Sequence, residues 1–257
     1  TKLLENIFRS VNIALVNELA LLCERMGIDI WEVIEAASTK PFGFMPFSPG
    51  PGVGGHCIPV DPYYLSWKAR EYDFHTKFVE LAAEVNQGMP YHVVSKVSEA
   101  LNMLGKPLHG ADVLLLGVTF KRDVDDARNS PAERIVELLA AAGARVSYND
   151  PYVPVFQVGG DVFCRRSLEL RSEPLSAERV RAADCVVIVA GHSSYDYAWL
   201  VEHASLIIDT VNATRGLAGD RLVRLGTPGP NHRRARGSEQ MVEKSPRWIW
   251  RNRGEKG

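Results

Sequence analysis

No apolar run in the 257 residues approaches the length of a membrane span, and no signal-peptide series opens the chain. Net charge is −1, with 30 Lys+Arg against 31 Asp+Glu, so no overall field points to nucleic acid or a membrane surface. The four cysteines, Cys23, Cys57, Cys164 and Cys185, are widely spaced and show no paired zinc pattern, so no metal is expected. Cys23 falls in a helical apolar pattern and Cys185 in a strand-like one, and both read as core. There is no internal repeat. No strand–glycine loop–helix fingerprint for a dinucleotide lies before Lys2. The chain starts at Thr1 without an initiator methionine, directly in a helical pattern, and a preceding segment is expected to have been cut away. A reduced, cytoplasmic setting fits these absences.

Against this background one stretch, Phe47 to Leu65, stands out. Gly50, Gly52, Gly54 and Gly55 allow backbone conformations closed to other residues and let a ligand approach closely. Pro49, Pro51, Pro59 and Pro62 fix φ and remove donors, which predicts a stiff loop rather than helix or central strand. The loop carries a thiol at Cys57 and a carboxylate four residues on, at Asp61. A rigid loop with a nucleophile and a base has the makings of an active site. The commonest fate of a free cysteine is burial in a core, and the glycine-proline frame is what favours function here. The glycines superficially imitate a dinucleotide fingerprint, but prolines on both sides exclude the flanking strand and helix that it needs.

The run from Gly52 through His56, Cys57 and Asp61 to Pro62 resembles the cysteine loop of the nucleotide-sugar 6-dehydrogenases. Its wording is closer to the N-acetylhexosamine branch than to the UDP-glucose branch. Thr39 to Phe44 and Pro62 to Arg70 extend the resemblance, which covers about Lys2 to Arg215. The resemblance implies an NAD-dependent oxidoreductase of polysaccharide biosynthesis. Such enzymes oxidise the 6-hydroxyl of UDP-N-acetylglucosamine, UDP-N-acetylmannosamine or UDP-glucose to a carboxylate, with two NAD⁺ as acceptors. It also implies that Cys57 holds the aldehyde covalently, as thiohemiacetal and then thioester. Lys2 and Asn6 stabilise oxyanions, and Asp61 orients or deprotonates the hydrolytic water. Phe47, Ser48 and Gly54 contact the sugar nucleotide. Taken alone, Lys2 and Asn6 at i and i+4 describe an ordinary solvated helix face.

In chain order, residues 2 to 37 predict helix, with a stop at Gly27, a cap at Asp29 and a second helix from Ile30 to Ala37. Tyr64 to Glu71 predicts a short helix. Phe74 to Gly105 predicts a long one, with a kink or boundary at Met89-Pro90. From about Lys106 strands and helices alternate, the mark of an α/β layer with parallel strands. Strands are expected at 112–118, 145–148, 185–190 and 205–209, and helices from Ser130 to Gly143 and from Tyr195 to Glu202. Ser130, Pro131 and Glu133 read as a capping box. Phe120 to Pro131 lies between a buried strand and that capped helix, which suggests an anion site at Lys121 and Arg128. By resemblance Lys121 reaches the UDP-sugar, and Arg128 reaches NAD across a homodimer.

The expected architecture is α/β. A helical central, dimerisation domain (1–105) carries the cysteine loop, a Rossmann-like parallel-sheet UDP-binding domain (106–226) follows, and a basic, disordered tail (227–257) ends the chain. Three departures from the family pattern stand out. Its NAD domain is absent before Lys2. Val60 stands where the UDP-glucose branch has lysine. Val211 stands where an arginine is expected to help bind substrate or a partner subunit. The expected partners are a UDP-sugar and a second copy of the chain, with neither nucleic acid nor membrane. Two readings follow. The chain is the catalytic and UDP-binding part of a dehydrogenase, inactive in this truncated form, or it is a non-catalytic UDP-sugar-binding or dimerisation fragment.

Overall fold

The computed structural model describes residues 1–160 and 167–228. Cys164 and the basic tail from residue 229 lie outside the described residues.

Four helices make the first half: α1 (Lys2–Met26), α2 (Ile30–Ser38), α3 (Cys57–Ala69) and α4 (Lys77–Met103), with one 3₁₀ turn at Arg70–Tyr72. The predicted break between α1 and α2 is present. Gly27 takes a left-handed φ of 71°, and Asp29 accepts a hydrogen bond from the Trp31 amide. α1 packs on α3 and α4. By length and composition α1 is long and apolar enough to cross a membrane, contrary to the expectation that no stretch would be. Here a third of its most apolar window (33%) is buried within the protein. Its Asn6, Ser10 and Asn17 are buried as well.

One proline expectation fails and another is narrowed. The short helix begins at Cys57, not Tyr64, and runs through Pro59 and Pro62. The first four amides of a helix have no acceptor within it, so Pro59 in the first turn forfeits nothing, and Pro62 loses a single bond. α4 continues through Pro90, which is buried, so the boundary expected there as the alternative to a kink is absent.

The second half is a five-stranded parallel sheet of β1 (Asp112–Leu116), β2 (Arg145–Asn149), β5 (Cys185–Ile188), β6 (Ile207–Asp209) and β7 (Leu222–Arg224). Its spatial order is β2-β1-β5-β6-β7. α5 (Pro131–Ala141), α6 (Ala177–Ala182) and α7 (Tyr197–His203) are its helices, and β3 (Val155–Val158) pairs antiparallel with β4 (Leu168–Arg171) as a hairpin. Side chains alternate between two cores. Val113, Leu115, Cys185 and Val187 join Val97 and Leu101 of α4 and Ile135 and Leu139 of α5. Leu114, Leu116, Val186 and Ile188 join Val180 of α6 and Leu200 of α7. Near-continuous apolar strands follow from burial on both faces. Ser130 caps α5 by accepting from the Ala132 amide, while Glu133 Oε1 accepts from the Gly159 amide, 3.3 Å away. The hairpin, α6 and β7 are additions to the expected elements.

Candidate active site

Asp61 is the junction of the helical half. It lies on α3, one turn after Cys57, and accepts from Asn6 Nδ2 of α1 at 2.9 Å. Lys2 Nζ lies 3.8 Å from the same oxygen. Asn6 is buried, whereas Lys2 is exposed. Residues 55 and more positions apart in sequence therefore converge on one carboxylate, beside the turn that opens with Cys57. Lys2 and Asn6 sit at i and i+4 on α1, which brings both side chains to α3.

A buried amide network anchors the start of the cysteine loop. Asn17 Nδ2 donates to Asn86 Oδ1 at 3.0 Å, Asn17 Oδ1 accepts from the Gly50 amide at 2.9 Å, and Asn86 Nδ2 donates to the Ser10 carbonyl at 3.1 Å. Phe47, half-buried, meets Phe8 of α1 edge-on at 5.7 Å between ring centroids.

The glycines then dock the loop on the sheet half. A Cβ at Gly54 would lie 2.7 Å from Phe120 Cβ and 2.8 Å from the Asn129 carbonyl, so only glycine allows this approach. The Gly55 amide donates to the Arg128 carbonyl at 3.2 Å, and Asn129 Nδ2 donates to the Gly55 carbonyl at 3.2 Å. The two stretches singled out from sequence thus pack against each other.

On the sheet half, the strand order reverses between β1 and β5, the point where open α/β sheets bind ligands beyond the strand ends. A cavity of about 430 Å³ opens there, walled by Phe120, Lys121 and Arg122 after β1, Val189 to Gly191 after β5, and Val211 to Ala213 after β6. Val211 also borders a second cavity, of about 530 Å³, that reaches Ser48 and Arg215. Asp209 is buried and shapes the β6 exit by accepting from the amides of Val211, Ala213 and Thr214.

Lys121 is exposed at the cavity rim. Arg128 is turned onto its own neighbour: Nε and Nη2 donate to the two oxygens of Asp126 at 2.9 and 2.7 Å. Those bonds hold the Asp126 carboxyl down at about 2. Of the expected sugar-nucleotide contacts, Ser48 borders the second cavity and Lys121 the first, Gly54 packs on Phe120 and Asn129, and Phe47 packs on Phe8; Arg128 stands in an ion pair. Cys185 is fully buried, and its thiol is pushed up by burial; the Cys23 thiol is pushed up by burial and by Asp29. Sequence reasoning missed His192, which is wholly buried behind the cavity. The signal was a histidine directly after the glycine that ends a buried strand.

Residues 1–88 match the model of the UDP-glucose/GDP-mannose dehydrogenase family, central domain, and residues 114–216 that of the same family's UDP binding domain. The chain belongs to that family. It is 40% identical over 195 residues, 76% of this chain and 40% of the relative, to the UDP-N-acetyl-D-mannosamine dehydrogenase of Methanocaldococcus jannaschii. It is 40% identical over 196 residues, 76% of this chain and 44% of the relative, to the UDP-N-acetyl-D-glucosamine 6-dehydrogenase of Pseudomonas aeruginosa. Among solved structures, an NDP-N-acetyl-D-galactosaminuronic acid dehydrogenase from Methanosarcina mazei superposes with a TM-score of 0.75 at 34% identity, covering 90% of this chain and 51% of that one. The chain thus spans about half the length, or less, of the family members it matches.

Proposed function

We propose that this chain is the nucleophile-bearing and UDP-binding part of an NAD-dependent UDP-N-acetylhexosamine 6-dehydrogenase. The substrate is UDP-N-acetylglucosamine or UDP-N-acetylmannosamine. The observation that carries the reading is the convergence of Lys2, Asn6 and Asp61 beside the first turn of α3, which Cys57 opens. In this reading the Cys57 thiolate adds to the C6 aldehyde, and the new oxyanion is met by the Lys2 ammonium and the free N–H of the Asn6 amide. Loss of a hydride from this adduct to NAD⁺ would give the thioester; there Asp61 takes a proton from the attacking water, and the acid leaves as Cys57 recovers its thiolate. The hydrogen bond from Asn6 and the nearby Lys2 hold the Asp61 carboxylate in place for that role. Phe47, Ser48, Gly54 and Lys121 seat the sugar nucleotide, with Lys121 on the diphosphate.

The described residues do not fit NAD. They contain no strand–glycine loop–helix unit of the dinucleotide kind, and Arg128, assigned to NAD by resemblance, is held by Asp126. Among the described residues none forms a seat for the hydride acceptor, and the chain alone is expected not to reduce NAD⁺. The boundary between the two functional units falls at 105/106. A homodimer in the cytoplasm completes the reading.

The test uses the chain itself. A short pulse of thiol alkylator, mapped by mass spectrometry, is expected to label Cys57 first, and UDP-N-acetylglucosamine or UDP-N-acetylmannosamine should slow that labelling. Lys2→Ala should slow it as well. Labelling of Cys57 no faster than Cys23, with no protection by either nucleotide sugar, overturns the assignment of the loop.

A further inference from the structure

Behind the cavity at the strand ends lies a buried imidazole that the chemistry above does not use. We propose that His192 is a positioning residue for the nucleotide site, holding the β1–α5 loop in the one shape that presents Lys121 to the diphosphate. The proposal rests on the reading of that cavity as the nucleotide site.

The proton on His192 is located by its partners. The Asp123 amide donates to Nδ1 at 2.9 Å, so Nδ1 carries a lone pair and the proton sits on Nε2. Nε2 faces Asp150 Oδ2 at 3.1 Å and Thr119 Oγ1 at 3.3 Å. Burial pushes the Asp150 carboxyl up, but bonds from His192 and the amides of Val118 and Tyr152 outweigh it and hold the group below its ordinary value. Asp150 is therefore an ionised acceptor for the Nε2 proton. Thr119 Oγ1 donates to the Lys121 carbonyl at 2.8 Å, which leaves its lone pairs for the imidazole.

The ring thus touches the residue two before Lys121 and the residue two after it. Asp123 takes a left-handed φ of 57°, an uncommon conformation for a residue with a side chain. Its carboxylate closes the loop onto the other strand, accepting from the Ser193 amide at 2.8 Å. That bond, with Arg122 beside it, holds the Asp123 carboxyl at about 2. The rings of Tyr152 and Tyr195 flank the imidazole at 5.0 and 5.6 Å, and Tyr197 donates to the His192 carbonyl at 2.7 Å. His192, Thr119 and Asp150 are each at most 3% exposed, while Lys121 is exposed at the rim. Two exposed cations lie between the arms of this rigid, buried bracket; Arg122 is paired with Asp123, which leaves Lys121 as the one the bracket aims at a ligand.

The experiment is a double-mutant cycle on UDP binding, read by calorimetry with the 257-residue chain. Lys121→Ala and His192→Phe are each expected to weaken UDP by about ten- to a hundredfold. The double variant should be no weaker than Lys121→Ala. His192→Asn places an acceptor where Nδ1 meets the Asp123 amide and should retain most of the affinity, whereas the longer His192→Gln carries its amide out to the Nε2 position, away from the Asp123 amide, and should not. Where His192→Phe fails to fold, the Asn and Gln pair decides. The ¹⁵N shifts of His192 should show Nδ1 unprotonated. Equal loss from the histidine change with and without Lys121, or a protonated Nδ1, overturns the positioning role alone. Absence of UDP binding by the parent chain, or no effect of Lys121→Ala, overturns the nucleotide site and the proposal with it.

Discussion

In the sheet half, every side chain from Val113 to Leu116 and from Cys185 to Ile188 is wholly buried, whereas in the helical half Leu4, Tyr72 and Phe78 stand 71%, 76% and 77% exposed. Among the described residues, the apolar cluster centred in the helical half is small, built on Ala20, Cys23 and Ile30. What orders the helices instead is polar: the Asn17–Asn86 network, the Asp61 junction and the buried Glu24–Lys96 pair. Apolar burial is non-directional and tolerates small shifts; hydrogen-bonded networks fix a geometry and are lost together. The site follows this division. The proposed nucleotide end stands on strand termini that their own core fixes. The cysteine end depends on polar fastenings and on a glycine loop docked against Phe120 and Asn129 of the other half.

Glu24 is where the two halves are fastened, so removing it breaks the comparison most directly. Its Oε1 accepts from Lys96 at 2.8 Å and from the Gly226 amide at the end of the sheet half, and its Oε2 meets His92 at 2.9 Å. Glu24→Ala leaves the Lys96 ammonium buried without its partner and should cost about 3–5 kcal/mol. Burial raises the Glu24 carboxyl, but the bonds from His92 and Lys96 prevail and set it below its ordinary 4.5. A carboxyl lowered on folding contributes stability above that ordinary value and loses it as pH falls through the folded value. The parent chain should therefore show an acid limb below about pH 4.5 that Glu24→Ala lacks in part. Urea titrations across pH measure both, and an unchanged limb would refute the assignment.

Next in size is the contrast between cores. Leu115→Ala, in the doubly covered strand β1, should cost about 2–5 kcal/mol. Leu4→Ala, on the exposed face of α1, should stay within about 0.5 kcal/mol. Thermal or urea melts of the two variants settle it. Similar losses at both positions would mean that the Leu4 face is covered in solution.

The sequence made the sheet half legible through its apolar strands, because burial on both faces leaves little room for other residue types. The hairpin β3–β4 escaped since its strands have four residues each with alternating exposure, and β7 has only three. The start of α3 was misread because prolines were taken as breakers without regard to position, and the first turn is where they are harmless. The candidate site was legible as residues but not as geometry. Nothing in the spacing of Lys2, Asn6 and Asp61 requires one carboxylate to collect both donors; that comes from the crossing of α1 and α3. His192 was passed over because a histidine after a strand-end glycine is a weak signal, and its meaning lies in Thr119, Asp123 and Asp150, which only the fold assembles.

A smaller test concerns the amide network. Asn17 is wholly buried and serves the Gly50 amide and Asn86 at once. Asn17→Ala strands both partners and should cost about 1–3 kcal/mol, the range for a buried group left unsatisfied. If the helical half is held by polar fastenings, hydrogen exchange in residues 47–56 should rise in this variant while β1 and β5 keep their protection. Equal loosening in β1 would refute the division.

The smallest effects should come from the helix caps, and here the two halves should agree. Asp29 accepts from the Trp31 amide at 2.8 Å to start α2, and Asp196 accepts from the Trp199 amide at 3.0 Å to start α7. A cap satisfies donors of its own first turn, so its worth is local and does not depend on how the rest of the half is buried. Asp29→Ala and Asp196→Ala should each cost about 0.5–2 kcal/mol, and the Asn variants, which keep an acceptor, much less. α2 has further ties that cross to the sheet half: the Trp31 Nε1 donation to the Leu225 carbonyl at 2.8 Å, the Ile30 amide donation to the Gly226 carbonyl at 2.9 Å and the Arg215 donation to Glu35 at 2.8 Å. If Asp29→Ala costs clearly more than Asp196→Ala, the cap is also aiming Trp31 across the junction, and the double variant with Trp31→Phe separates the two contributions. Equal costs leave the difference between the halves where the exposures put it, in burial and polar fastening rather than in local helix signals.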